Sequence, residues 1–255
     1  MINEIRRTIR KDFFNSASYK IDVFFSITAA FTSFFIAFFM AKIISKEQFG
    51  NYGYLFFSIV GGINYSISGR IISTASSIVI SGRTSGLLLP ALFAFKSIPK
   101  LIILNSFYPF FRGIIGMYLQ FILLKLFIPE LPLPFLPLLG LALAIPSFIG
   151  FSMISVSLTL LFKKNIFSYL LSVASFLLAG ISFPVEVLHS SLIYLAKLLP
   201  LTHLNTFSRA SFSNQIDLES LKYLIFLSIL YPIIGVLLLS VSEKFVKKRG
   251  ELFNW

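Results

Sequence analysis

Residues Tyr223–Ser242 read YLIFLSILYPIIGVLLLSVS, twenty positions without a single charge. A helix rises about 1.5 Å per residue, so roughly 20 apolar residues cross the ~30 Å hydrocarbon core of a bilayer. Val23–Ala41 and Ile166–Val185 have the same character. Across the 255 residues, 56% are hydrophobic and only 13% are charged, whereas a soluble domain carries about 25% charged residues. The missing charge points to an apolar solvent, and the length to a bundle of membrane helices.

Working outward, the sequence predicts six spans. The first is Asp22–Ile44, followed by a short polar joint, Lys42–Gly50, and a second span, Asn51–Ser68. Ile71–Gly82 and Thr84–Phe95 are 12 residues each, split by Arg83, and neither crosses a bilayer alone. The first is rich in Ser and Thr (Ser73, Thr74, Ser76, Ser77, Ser81), and the region is expected to be a cytoplasmic loop of short helices. Span three falls within Leu101–Phe127. Four prolines at 129, 132, 134 and 137 then stop the helix, since each ring removes a backbone donor. Span four is Leu138–Phe162 with a possible bend at Pro146, span five Asn165–Phe183, and span six Leu221–Val241 with a kink at Pro232. Residues 184–218 are too interrupted for one span.

Net charge is +12. The basic residues gather at helix ends, which suits an anionic membrane surface rather than nucleic acid. Residues 2–20 carry Ile2, Ile5, Ile9 and Phe13 near helical spacing, with Arg6, Arg7, Arg10 and Lys11 between them. That pattern reads as an interfacial helix over residues 1–20, or else as a plain extension of span one. The tail, 243–255, holds Lys244, Lys247, Lys248 and Arg249. Basic ends at both termini place both in the cytoplasm, which requires an even number of spans. The first apolar run begins only at Val23, exceeds a signal-peptide core and lacks an A-x-A site, so it reads as a span rather than a cleavable leader.

Catalytic and nucleotide motifs are absent. There is no cysteine, no H-E-x-x-H, no G-x-S-x-G, and no glycine followed by lysine as a phosphate-binding loop requires. No catalytic residue and no metal site is expected, and any ATP chemistry must come from another chain. His189 and His203, with Glu186 nearby, lie fourteen residues apart and match no ligand spacing. They read either as a site at a membrane face or as polar residues satisfied at an interface. Arg112 reads in one of two ways. It is a cation in a pathway meeting an anionic cargo, or span three starts near Ser106 and Arg112 snorkels to the interface.

The segment Phe176–Ala210, FLLAGISFPVEVLHSSLIYLAKLLPLTHLNTFSRA, closely resembles the C-terminal signature of type-2 ABC exporter permeases. The matching residues are Ala179, Gly180, Phe183, Pro184, Leu199, Pro200, Leu201, Thr202 and Arg209. A looser match covers Arg83-Thr84-Ser85-Gly86-Leu87-Leu88, where the acidic residues of the family's loop are missing. The resemblance implies an all-α integral membrane protein of six transmembrane helices in one domain over 1–255. It implies a cytoplasmic coupling loop between spans two and three (Arg83, Gly86, Leu88, Lys96). It also implies an outer re-entrant gate between spans five and six (Gly180, Phe183, Pro184, Pro200, Thr202, Arg209). The implied partners are two ABC ATPase subunits that hold ATP and magnesium, a second permease copy or a related permease, and membrane lipid. The implied location is the plasma membrane. Two other functions compete: a lipid-modifying enzyme built on Glu186, His189, His203 and Asp217, and a secondary transporter, which would need paired charges inside the spans and repeat symmetry.

Overall fold

The computed structural model describes residues 20–44, 53–86, 88, 90, 97–131, 135–164, 166–213 and 215–248. The interfacial helix expected over residues 1–20 lies almost entirely outside the described residues, as do Lys96 and positions 249–255 of the tail. Among the described residues the chain is all-helical, with no strand. Its helices are α1 (Lys20–Ile43), α2 (Gly53–Thr84), α3 (Ile98–Phe127), α4 (Phe135–Phe162), α5 (Ile166–Leu178), α6 (Ser190–Leu198), α7 (Pro200–Phe212) and α8 (Leu218–Lys248). A 3-10 turn, Val185–Val187, precedes α6.

Four of them are long and apolar enough to cross a membrane: Gly53–Gly82, Ile98–Phe127, Phe135–Phe162 and Leu218–Val246. This is compatible with a multi-pass membrane protein. Shorter apolar helices are Phe31–Ile43 and Ile166–Leu178. The most apolar windows of α2 and α4 are 56% and 67% buried, those of α3 and α8 only 17% and 22%. The first pair is therefore the centre of the bundle and the second its flanks. The exposed faces of α3 and α8 carry Ile115, Leu119 and Ile122, and Ile229, Leu237 and Val241. Exposed apolar rows of this kind suit lipid rather than water.

Of the loop expected over residues 69–100, the first segment, Ile71–Gly82, belongs instead to α2, while most of Thr84–Phe95 lies outside the described residues. α2 continues as one helix of 32 residues to Thr84, about 48 Å of rise. The Ser-rich stretch does not break it, because its hydroxyls bond back to carbonyls three or four residues earlier. Ser77 Oγ donates to Thr74 O (3.0 Å), Ser81 Oγ to Ser77 O (2.6 Å) and Ser85 Oγ to Ser81 O (2.6 Å). On the opposite side Ser76 meets Ser155 of α4 (3.3 Å) and accepts from Ser168 of α5 (2.5 Å), while Ser155 and Ser168 lie 2.6 Å apart. All three are buried. Residues that resemble loop composition thus form the seam of three helices.

Two further boundaries differ from expectation. α3 starts at Ile98, where the Ser97 hydroxyl accepts from the Lys100 amide and Pro99 occupies the first turn. α5 stops at Leu178, short of Phe183, and its 13 residues rise only about 20 Å. The interrupted region 184–218 resolves into the helical hairpin α6–α7.

The core joins α2, α4 and α7. Phe212 stacks on Phe121 of α3 (4.9 Å) and takes Phe56 of α2 edge-on (5.2 Å). A smaller cluster of Ala75, Val79, Ile98, Ile102, Met153, Val156, Leu160, Leu239 and Val246 closes the other end. α4 and α8 touch backbone to backbone: a Cβ on Gly235 would lie 2.6 Å from Gly150 O, and one on Gly150 would collide with the Tyr231 and Pro232 backbone. Pro146 and Pro232 lie inside continuous helices.

Candidate functional site

The site grows from the break after α5. Gly180 has φ +66°, a left-handed conformation that costs an L-residue with a Cβ roughly 1–2 kcal/mol. Its Cβ would also lie 2.8 Å from Val185 Cγ2. The chain turns here, leaving carbonyls without helical partners. In a medium without water, each unpaired carbonyl would cost several kcal/mol, on the order of an unmade hydrogen bond.

Side chains of α7 supply the missing donors. Asn205 Nδ2 donates to Ala179 O (2.8 Å). Arg209 Nη2 donates to Gly180 O (2.7 Å), with Ile181 O at 3.3 Å. The same nitrogen donates to Phe57 O of α2 (2.8 Å), and the guanidinium carbon lies 3.4 Å from the Phe57 ring centroid. Asn64 of α2 completes the network by donating to Asn205 Oδ1 (3.0 Å) and Ser208 Oγ (3.2 Å). Arg209 Nε is buried and makes no hydrogen bond. Glu186 is the acidic group whose field reaches this guanidinium. A cation here ties three pieces of backbone together, and its diffuse charge suits a ring face.

The other end of the hairpin uses the same logic. Helix α6 ends at Leu198, and its last carbonyls need donors from outside the helix. Thr202 Oγ1 donates to Ala196 O (2.6 Å), His203 Nε2–H to Lys197 O (2.8 Å), and Tyr231 OH to Leu198 O (2.7 Å). A carbonyl partner fixes the proton of His203 on Nε2. The ring also stacks on Tyr223 of α8 (4.7 Å). Pro200 stands in the first turn of α7, where its missing N–H is harmless. α7 is buried nearly all round, from Leu201 to Phe212, against α2, α4 and α8.

The residues expected to form the gate fall into two groups: Gly180, Phe183 and Pro184 lie at the break, which Arg209 clasps to α2, and Pro200 and Thr202 lie where α6 passes into α7. Asn64, Asn205, Ser208 and Tyr231 belong to the same two groups and were not singled out from sequence. Only Asn64 had a signal, as the lone Asn of α2. The catalytic candidates take structural positions. His189 accepts from Ser191 N at the start of α6 (3.4 Å), His203 caps its end, and Asp217 accepts from the Glu219 and Ser220 amides at the start of α8 (both 3.1 Å).

The coupling residues are only partly described. Arg83 lies in the last turn of α2, Gly86 has φ +72°, and Leu88, 1% exposed, folds back onto Gly82. Arg112 is half-buried near the middle of α3, a helix that begins eight residues before Ser106. Among the described residues no group of three His, Asp or Glu side chains could hold a metal ion. Neither a known family model nor a curated protein matches this chain.

Proposed function

We propose that this chain is the permease subunit of an ATP-driven exporter of the type-2 ABC class, moving a hydrophobic drug, lipid or glycan-type cargo outward. The reading rests on one observation: of the residues that carry the resemblance, Arg209 on α7 holds the carbonyl of the Gly180 break, and Thr202 at the start of α7 holds the end of α6. A chance run of apolar strings has no reason to match that division of labour. In this reading α1 to α4, α5 with its break, and α8 are the six spans, both termini are cytoplasmic, and α6–α7 is the outer re-entrant gate. Two ATPase subunits bind ATP and magnesium and dock near Ser85–Ser97. A second permease copy or a related chain completes the pathway in the plasma membrane. ATP drives transport by binding its partner differently in two states, so the docked segment must sense that difference.

Co-expression of the tagged chain with an ABC ATPase tests this. The ATPase is expected to co-purify, and replacing Arg83–Leu88 by a Gly/Ser segment is expected to abolish both capture and stimulation of hydrolysis. Transport by the purified chain alone, or stimulation that survives the replacement, overturns the reading.

A further inference from the structure

Helices α2 and α3 meet where Ile67 fills the space beside Gly113, whose Cβ would lie 2.6 Å from Ile67 Cγ1. That contact sets the level of two arginines. Arg70 stands about one turn beyond Ile67, and Arg112 is adjacent to Gly113. The two cations act on each other, with Tyr108 beside them. Both are half-buried and so reachable from outside the bundle. Neither α2 nor α3 contains an Asp or Glu. Among the described residues, the charged groups that act on Arg70 are Arg112 and Tyr108 and include no carboxylate, and Arg70 Nε donates a long hydrogen bond to Ser66 Oγ at 3.5 Å. Two like charges brought to one level of membrane-length helices are costly, and ionisable groups in such helices mark ligand sites by default.

We propose that Arg70 and Arg112 bind the phosphate group of a membrane-resident amphiphile at the α2–α3 seam, with the Ser66 and Tyr108 hydroxyls beside it. A phosphate offers enough oxygens for two guanidinium forks, and its charge removes their repulsion. The amphiphile is indicated by the neighbours: Phe111, Ile115 and Leu119 run along the exposed face of α3 next to Arg112 and offer a surface for an acyl chain. Ser66, Ser73 and Ser77 on the exposed side of α2 continue as a polar track for the headgroup. The site needs only this chain and stands whether or not an ATPase partner exists.

The full chain in nanodiscs of phosphatidylcholine, doped with phosphatidylglycerol, provides the test. Native mass spectrometry is expected to show selective retention of phosphatidylglycerol. Arg70→Gln and Arg112→Gln are each expected to weaken retention about tenfold, and the double variant little more, because the site is shared. Lys197→Gln, on α6, is expected to leave it unchanged. Phenylglyoxal labelling of Arg70 in the unsubstituted chain gives a readout free of folding effects: phosphatidylglycerol is expected to protect the residue. Unchanged retention in Arg70→Gln, or absence of protection, overturns the proposal. Equal protection by inorganic phosphate removes the amphiphile and overturns it as stated. A lipid that survives delipidation identifies a resident headgroup, and one that exchanges identifies a passing ligand; either supports the site.

Discussion

The Arg209 side chain and Phe57 engage twice: the Nη2 nitrogen donates to the Phe57 carbonyl at 2.8 Å, and the guanidinium carbon lies over the Phe57 ring, 3.4 Å from its centroid. A single side chain of α7 thereby reads both the backbone and the side chain of one residue in α2. Because the same nitrogen bonds the Gly180 carbonyl, the helix break cannot move independently of α2.

Replacing Arg209 by Ala should therefore destabilise the bundle strongly. Leaving a buried acceptor unpaired costs about 1–3 kcal/mol; the Gly180 carbonyl at the break loses its donor, while the Phe57 carbonyl, inside α2, keeps only its helical one. Arg209→Lys should recover only part of the loss, since one ammonium cannot lie over the ring while reaching both oxygens. Unfolding in mixed micelles measures both variants; equal stability of Arg209→Ala and the parent would refute the clasp.

Gly180→Ala should cost about 1–2 kcal/mol for the left-handed backbone alone, with a further penalty from the contact with Val185. Adding Val185→Ala should restore the second part and leave the first. A double-mutant cycle separates them, and full recovery would mean that the backbone conformation at 180 is not the one described.

Thr202→Val keeps the side-chain shape but removes the donor to Ala196 O. The expected loss is roughly 1–3 kcal/mol, with faster amide exchange confined to the end of α6. His203→Phe, which keeps a ring for Tyr223 but frees the Lys197 carbonyl, should act in the same region. Exchange that rises uniformly over the chain would contradict a local cap.

The continuity of α2 has its own test. The sequence has no cysteine, so single cysteines from 69 to 84 can be labelled without background. Reactivity should peak at 73, 77 and 81 and fall at 71, 75 and 79, following the exposed and buried faces. Even labelling across the stretch would restore the loop expected from composition.

That expectation failed for a definite reason. Ser73, Ser76, Ser77 and Ser81 look like loop residues when helix propensity is judged in water, where hydroxyls compete for backbone groups. In an apolar bundle those hydroxyls return to their own helix or to Ser155 and Ser168, and the bias reverses. The long apolar helices were legible because their signal is additive along the chain: α4 begins three residues before the expected Leu138, and α8 contains the expected span but runs seven residues past Val241. The turn at Pro200 was legible because Pro acts locally, but α5 ends at Leu178, five residues before the expected end of span five at Phe183. Asn64, Asn205 and Tyr231 were not, because their partners are separated from them by tens of residues and no spacing announces the pairing.

The touching backbones at Gly150 and Gly235 limit what can move. Sliding α4 along α8 by one turn would bring residues with a Cβ to places where only these glycines fit. The two helices consequently travel as a single strut. Any rearrangement of the bundle is forced onto seams padded by side chains, such as the Phe34–Phe127 contact between α1 and the end of α3, where rotamers can give way without breaking a backbone contact.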